Sequence, residues 1–257
     1  MSRIIALVNQ KGGVGKSTTT VNLAAGLAVL GKRVLVIDID PQGNTTTGLG
    51  IDKRELKRDV YDLLLHHSAL EDVIQSTEIP GLALIPATIN LAGAEIELVS
   101  ALSRENRLKT VISSISDRYD FTLIDCPPSL GLLTINALTA AREIIIPVQA
   151  EYYALEGLSQ LTAVVRRVKE VLNPDLQITG VLVTMFDGRT KLAMEVIAEL
   201  HAYFPRQMFK TQIPRNIRLS EAPSYGKPVI LFDVKSRGAQ AYLSMAKELL
   251  ESSEVVA

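Results

Sequence analysis

Dense apolar runs of four to eight residues recur at Ile4–Val8, Val34–Ile37, Leu82–Ile85, Phe121–Ile124, Ile144–Val148 and Ile178–Val183. A run that does not alternate with polar positions suits a strand covered on both faces, so these predict a sheet buried between layers. Between them lie stretches with helical spacing, clearest at Ser17–Leu30, Arg104–Ile115, Leu155–Leu172 and Leu192–Tyr203, with a last one at Ala239–Glu251. Strands alternating with helices predict an α/β fold: a doubly wound, mostly parallel sheet flanked by helices. Residues 41–60 and 205–237 are richer in Gly, Pro and charge, which predicts functional loops and short irregular elements there. The tail after Glu251 is expected to fray.

The chain has 257 residues, 47% of them apolar. That is enough for a large core, and a single domain over residues 1–257 is expected. Lys plus Arg number 27 against 28 for Asp plus Glu. Net charge therefore gives no global attraction to nucleic acid or acidic membranes, and any such surface must be local. The single cysteine, Cys126, excludes an internal disulfide framework and multi-thiolate metal sites, and fits a reducing, cytoplasmic compartment. The opening MSRIIALVNQ has a short apolar stretch without a cleavage site and runs straight into KGGVGKST, so it reads as a first strand. Nowhere do about 18 apolar residues run uninterrupted, so no transmembrane helix is expected.

The first strand leads into Gln10-Lys11-Gly12-Gly13-Val14-Gly15-Lys16-Ser17-Thr18, and an apolar helix follows at once. This is a phosphate-binding loop in its required context. Glycines let backbone N–H groups turn toward phosphate oxygens, and the helix N-terminus adds roughly half a positive charge. Lys16 is placed to reach the β- and γ-phosphates of ATP, and the Ser17 hydroxyl to ligate Mg2+. The common pattern has glycine where this chain has Gln10, and this chain adds a second lysine, Lys11.

Two more strand ends supply acids: Asp38-Ile39-Asp40-Pro41-Gln42-Gly43-Asn44 and Asp125-Cys126-Pro127-Pro128-Ser129. Ligands of open α/β sheets bind beyond the carboxyl ends of strands, so these acids can converge on the metal and the γ-phosphate. Asp125 reads as a magnesium ligand acting through water. Asp40 reads as the residue that orients or deprotonates the attacking water, with Asp38 nearer the metal. The alternative is that one of the two only caps the following turn.

KGGVGKST, the DIDPQGN loop and the DCPPS strand end resemble the deviant Walker A P-loop ATPases, and within them the ParA/Soj partitioning family. The resemblance extends to GRT at 188–190, IPRN at 213–216 and LSEAPSYGKPV at 219–229, nearly the whole chain. It implies an ATP-dependent sandwich dimer in which Lys11 crosses to the partner's phosphates. It also implies that Asp40 is the hydrolytic residue, Asp125 the second acidic motif, and that Pro214 and Asn216 lie near the adenine. Residues 11–18 would together hold the nucleotide, and intrinsic hydrolysis would be weak. A ParB/Spo0J-like partner would stimulate it, and the ATP dimer would bind double-stranded DNA without sequence preference on the nucleoid.

Charge supports the last point independently. From Arg206 to Arg237 there are seven Lys or Arg and two acids, in a chain whose total is −1. Such a patch suits sequence-independent phosphate contacts. Arg189 and Arg218 match the DNA-binding positions of Soj-like members. Lys191 and Arg215 are candidate neighbours, although Arg215 could serve the nucleotide instead, and any of the four could be a solvated charge.

His66 and His67 lack metal-ligand company and read as surface residues, while Cys126 reads as a small buried side chain. A MinD-like membrane switch would need a basic amphipathic C-terminus, but the chain ends MAKELLESSEVVA. A shared iron–sulfur cluster would need paired cysteines. A small-molecule ligase would need an acceptor pocket, for which no insertion is evident. With the first strand predicted at residue 3, no N-terminal helix-turn-helix is expected.

Overall fold

The computed structural model describes every residue except Met1, His67, Ser116, Tyr152, Tyr153 and 255–257. In chain order the elements are β1 (Arg3–Leu7), α1 (Lys16–Val29), β2 (Val34–Asp38), α2 (Asn44–Gly48), α3 (Val60–Leu65), β3 (Gln75–Ser76), β4 (Leu82–Ile85), α4 (Leu91–Glu97), α5 (Arg107–Ser113) and β5 (Phe121–Asp125). They continue with α6 (Leu132–Ala140), β6 (Glu143–Gln149), α7 (Ala154–Val171), β7 (Gln177–Thr184), α8 (Lys191–Tyr203), α9 (Ile217–Glu221), α10 (Val229–Phe232) and α11 (Arg237–Glu254).

The strands form one seven-stranded sheet in the order β3-β4-β2-β5-β1-β6-β7. Every pairing is parallel except β3 with β4. Alternate strand residues feed two cores, as the period of two requires. Ala6, Leu35, Ile37 and Ile124 face the layer that includes α6 to α8. Ile5, Leu7, Val34, Val36 and Leu123 face the layer of α1, α10 and α11. α11 lays Tyr242, Met245, Ala246 and Leu249, all buried, against α1. Gly26 permits the approach, because a Cβ there would sit 3.1 Å from the Ala246 Cβ.

Each predicted strand is present, as are the predicted helices around α1, α7, α8 and α11. One helix prediction is corrected. Arg104–Ile115 is not continuous: a 3-10 turn at Arg104–Asn106 precedes α5, which ends at Ser113. The cause is Asn136 on α6, whose side chain accepts from the Leu108 N–H at 3.2 Å and donates to the Arg104 carbonyl at 2.8 Å. It stands between the two groups that an α-helix would join directly. A second correction is at the C-terminus, where helix persists through Glu254 rather than ending at Glu251. α6, an apolar helix buried on most sides, and the short edge strand β3 have no clear periodic signature in the sequence. His66 is the exposed residue just after α3, and His67 lies outside the described residues.

Candidate functional site

The sheet order decides what can meet. β1 lies between β5 and β6, and β2 pairs with β5 so that Asp38 is level with Asp125, which is in turn level with Leu7. Three loops at neighbouring carboxyl ends therefore open onto one crevice, as expected at this edge of a doubly wound sheet.

The loop after β1 is fixed from both sides. The Asn9 amide donates to the Pro147 carbonyl at 2.8 Å, its oxygen accepts from the Lys11 N–H at 3.0 Å, and Thr184 donates its hydroxyl to the Val14 carbonyl at 2.8 Å. Gly13 and Gly15 have φ of 74° and 88°, a left-handed backbone that costs an L side chain roughly 1–2 kcal/mol. Gly15 is the residue from which α1 starts, so the free N–H groups of the first turn point into the crevice. Lys16 is buried, with its ammonium 3.2 Å from the Lys11 carbonyl. Burial lowers its pKa from the ordinary lysine value, opposed by the Asp125 and Asp40 carboxylates.

The crevice beside this loop encloses about 440 Å³ and is lined by Gly12, Lys16, Ser17, Thr18, Asp40 and Pro128, among others. Thr18 and Gly15 also border an adjoining hollow of about 290 Å³ whose walls include Pro214, Arg215, Asn216 and Tyr242. The two spaces together suit a triphosphate and a base. The residues of the resemblance that concern the nucleotide, Gly12 to Thr18 with Pro214 and Asn216, thus line one continuous cleft, except for Val14, whose side chain points into the core.

The acids divide by environment. Asp125 is fully buried, bonded to the hydroxyls of Thr45 at 2.7 Å and Thr20 at 3.2 Å, with the Ser17 hydroxyl close by. Burial raises its pKa, and the hydroxyl bonds oppose the rise. Asp38 is also fully buried and accepts from the Thr46 N–H and hydroxyl, both at 2.8 Å, and from the Asp40 N–H at 3.1 Å. Burial, then repulsion from Asp125, raise its pKa. The structure does not bring Asp38 to the cleft wall, where Asp40 stands alone of the pair. One Asp40 oxygen accepts from the Gln42 N–H at 2.9 Å, and no partner among the described residues takes the other. Both aspartates cap backbone N–H groups of this segment, Asp38 those of Asp40 and Thr46 and Asp40 that of Gln42, so turn capping does not separate the pair; exposure to the cleft does.

No group of three or more His, Cys, Asp or Glu side chains converges among the described residues. The donor set fits magnesium, which keeps several waters and takes few protein ligands beside the phosphates: the Ser17 hydroxyl, with Asp125 directly behind it.

Lys11 turns away from its own cleft. Its ammonium is 2.6 Å from Glu151, with both side chains nearly half exposed at 40% and 47%. Glu151 carried no motif in the sequence. Nor did Thr20, Thr45 and Thr46, although the repeated threonines of STTTVN and NTTTG, each beside an acid-bearing or phosphate loop, were an available signal. Met185, on the cleft wall with φ of 50°, is a non-glycine residue in the left-handed region, and no sequence signal marks it.

The cationic candidates are all exposed but not equivalent. Arg189 pairs with Asp187 at 2.6 Å, and Arg218 pairs with Glu221 at 2.8 Å and Asp233 at 3.2 Å. Lys191 begins α8, and Arg215 makes no ion pair among the described residues. Cys126 is buried, and burial pushes its thiol far up, as suits a packing residue.

A sequence model of the AAA domain family matches residues 2–178. The chain is 60% identical over 249 residues to the sporulation initiation inhibitor protein Soj of Bacillus subtilis, covering 97% of this chain and 98% of that protein. It is 51% identical over 251 residues to the chromosome partitioning protein ParA of Myxococcus xanthus, covering 98% and 89% respectively. A Mycobacterium smegmatis structure described as a cobyrinic acid a,c-diamide synthase with bound ATP analog and magnesium superposes with a TM-score of 0.88 at 36% identity, over 100% of this chain and 98% of that one. ATP and magnesium are accordingly ligands used within this P-loop ATPase family, and the donor set of this cleft is consistent with them.

Proposed function

Since the chain belongs to the ParA/Soj family of chromosome-partitioning ATPases, we propose that it is a slow ATP-driven DNA-segregation switch whose ATP-bound form is a homodimer. The observation that carries this reading is the division of labour between its two loop lysines. Lys16 is buried at the head of the cleft, whereas Lys11 extends outside it, toward Glu151. An ammonium that starts in the phosphate loop but does not serve its own cleft is free to serve a second chain's.

In the proposed cycle Lys16 and the first-turn N–H groups hold the β- and γ-phosphates, and Ser17 with Asp125 holds the hydrated magnesium ion. Asp40 presents its unshared oxygen to the water that attacks the γ-phosphorus. The water's oxygen forms a bond to phosphorus as the bond to the β–γ bridging oxygen breaks, and Asp40 orients or takes the proton. Lys11 of each protomer neutralises charge that develops in the other's site. Double-stranded DNA is held through its phosphates by the ATP dimer, and a ParB/Spo0J-like protein accelerates hydrolysis and release. The reading places the protein in the cytoplasm on the nucleoid, as a single domain.

A second reading, an ATP-dependent ligase, draws only on the synthase description of the M. smegmatis structure. A ligase turns over ATP only with its acceptor. The membrane reading loses support because the apolar face of α11 is already covered by α1. No described helix is long and apolar enough to cross a membrane.

The test is binding of a random-sequence duplex by the Asp40→Ala protein with ATP, ADP or no nucleotide, with the oligomeric state followed in parallel. Dimerisation and DNA binding that both require ATP, and that Lys16→Ala abolishes, are expected. DNA binding indifferent to nucleotide, or none in any state, overturns the switch.

A further inference from the structure

The turn that carries Asp40 is anchored unevenly. Its start is fixed in the core, where Asp38 accepts from the Asp40 N–H at 3.1 Å, and its end is fixed by α2, whose Thr45 and Thr46 hydroxyls donate to Asp125 and Asp38. Between these anchors the turn closes on Asp40 itself. The Asp40 carbonyl accepts from the Gly43 N–H at 2.8 Å, and its carboxylate accepts from the Gln42 N–H at 2.9 Å. The direction of that carboxylate therefore depends on how firmly the turn is held.

Among the described residues, one hydrogen bond reaches residues 41–43 from outside the turn and α2: the Lys53 ammonium donates to the Gln42 carbonyl at 2.7 Å. The peptide unit joining Gln42 to Gly43 is thus held at both ends, its N–H by Asp40 and its C=O by Lys53. Such a planar unit cannot rotate without losing both bonds. The half-buried Lys53 side chain lies across Gly43, where a Cβ would come within 2.7 Å of both the Lys53 Cδ and the Ala87 carbonyl oxygen. Lys53 has no acid in contact among the described residues, so its charge serves no surface ion pair.

Lys53 is itself firmly seated. Its own turn is closed by the Glu55 N–H on the Asp52 carbonyl at 3.1 Å, and the Ile51 N–H donates to the Thr46 carbonyl at 3.2 Å. Gly50 packs closely on Gly226, since a Cβ at position 50 would stand 2.9 Å from the Gly226 carbonyl oxygen. Gly226 belongs to the LSEAPSYGKPV stretch, whose Pro223 lines both the phosphate crevice and the base hollow. That stretch supports the Lys53 turn from behind and borders the nucleotide cleft in front.

We propose that Lys53 is the positioning residue for Asp40, holding the 40–43 turn so that the carboxylate faces the attacking water. Asp40 and Gln42 line the cleft and Lys53 does not, so it acts on hydrolysis through the turn alone. The inference rests on the hydrolytic reading of Asp40 above and extends it to a residue outside every motif of the sequence.

The experiment is steady-state ATP hydrolysis by the full chain with magnesium, at protein concentrations where the parent's rate per chain is saturated. Lys53→Met keeps a stem over Gly43 and removes the ammonium. It should lower kcat by roughly tenfold or more, because a misplacement of about 1 Å can cost on the order of a hundredfold. KM for ATP should not change, since the phosphate loop and base hollow are untouched. Lys53→Arg, which keeps a charged donor, should recover most of the rate. Lys57→Met makes the same chemical change at an exposed position of the same loop and should match the parent. Lys53→Met at the parent's kcat overturns the inference while the switch stands. A loss that appears in KM, that Lys53→Arg does not recover or that Lys57→Met shares is structural, and the inference again falls. A parent that hydrolyses no ATP overturns the hydrolytic reading itself, and the positioning role with it.

Discussion

Replacing Glu151 with Gln should tighten the ATP-dependent dimer. In the single chain Lys11 is held 2.6 Å from Glu151, and a lysine that crosses to a second chain's phosphates must first leave this partner. Both side chains are 40–47% exposed, so the pair belongs among surface ion pairs, worth about 0.2–1 kcal/mol each. Two such pairs break per dimer, giving about 0.4–2 kcal/mol, or roughly 2- to 30-fold in the dimer Kd. The assay is sedimentation equilibrium with ATP and magnesium in the Asp40→Ala background, at low and high salt. The difference should shrink as salt screens the pair, since the Debye length falls from about 10 Å at 0.1 M to about 3 Å at 1 M. A double-mutant cycle isolates the cause: with Lys11→Ala already present, Glu151→Gln should change nothing. A Glu151→Gln dimer no tighter than its parent at low salt, or an effect that survives Lys11→Ala, would refute the idea that this ion pair restrains a lysine acting in trans.

Thr45→Val removes a 2.7 Å hydrogen bond from the fully buried Asp125 while keeping the side-chain volume. Bonds to charged groups are worth about 1.5–3 kcal/mol, so urea unfolding of the nucleotide-free protein should show a loss of that size, and a change below about 0.5 kcal/mol would count against it. The nucleotide-free protein should also become more stable on mild acidification. Burial carries Asp38 up to about 8, whereas an unfolded aspartate titrates near about 3.9. Between those values the folded chain binds more protons than the unfolded one, so stability falls as pH rises toward 8. Calorimetric Tm values at pH 6 and pH 8 check the sign, and an equal or higher Tm at pH 8 would contradict it. Asp38→Asn should weaken the dependence, leaving the smaller part that comes from Asp125, whose pKa burial also raises.

Much of this protein is legible in its sequence because the signals are local. The strands declare themselves by uninterrupted apolar runs, since a strand covered on both faces has no polar side to display. The phosphate loop declares itself because glycines, lysine and helix start lie within a few residues of one another. Asp40 and Asp125 follow from their places at strand ends. What the sequence leaves open is every relation between residues far apart in the chain. Asp38 and Asp40 look interchangeable in DIDPQGN, and only the packing of α2 over β2 turns one toward Thr46 and leaves the other facing the cleft. The stretch from Arg104 to Ile115 has a helix's periodicity, and a side chain from α6 breaks it. Lys11 finds Glu151 across 140 positions, and Arg237 at the start of α11 lines the same depression as Arg189 although the two lie far apart in the chain. Periodicity and backbone chemistry act over a few residues and so can be read in order. Electrostatic pairing and shared cavities depend on distance in space, which the strand order 3-4-2-5-1-6-7 and the packing of its crossovers decide.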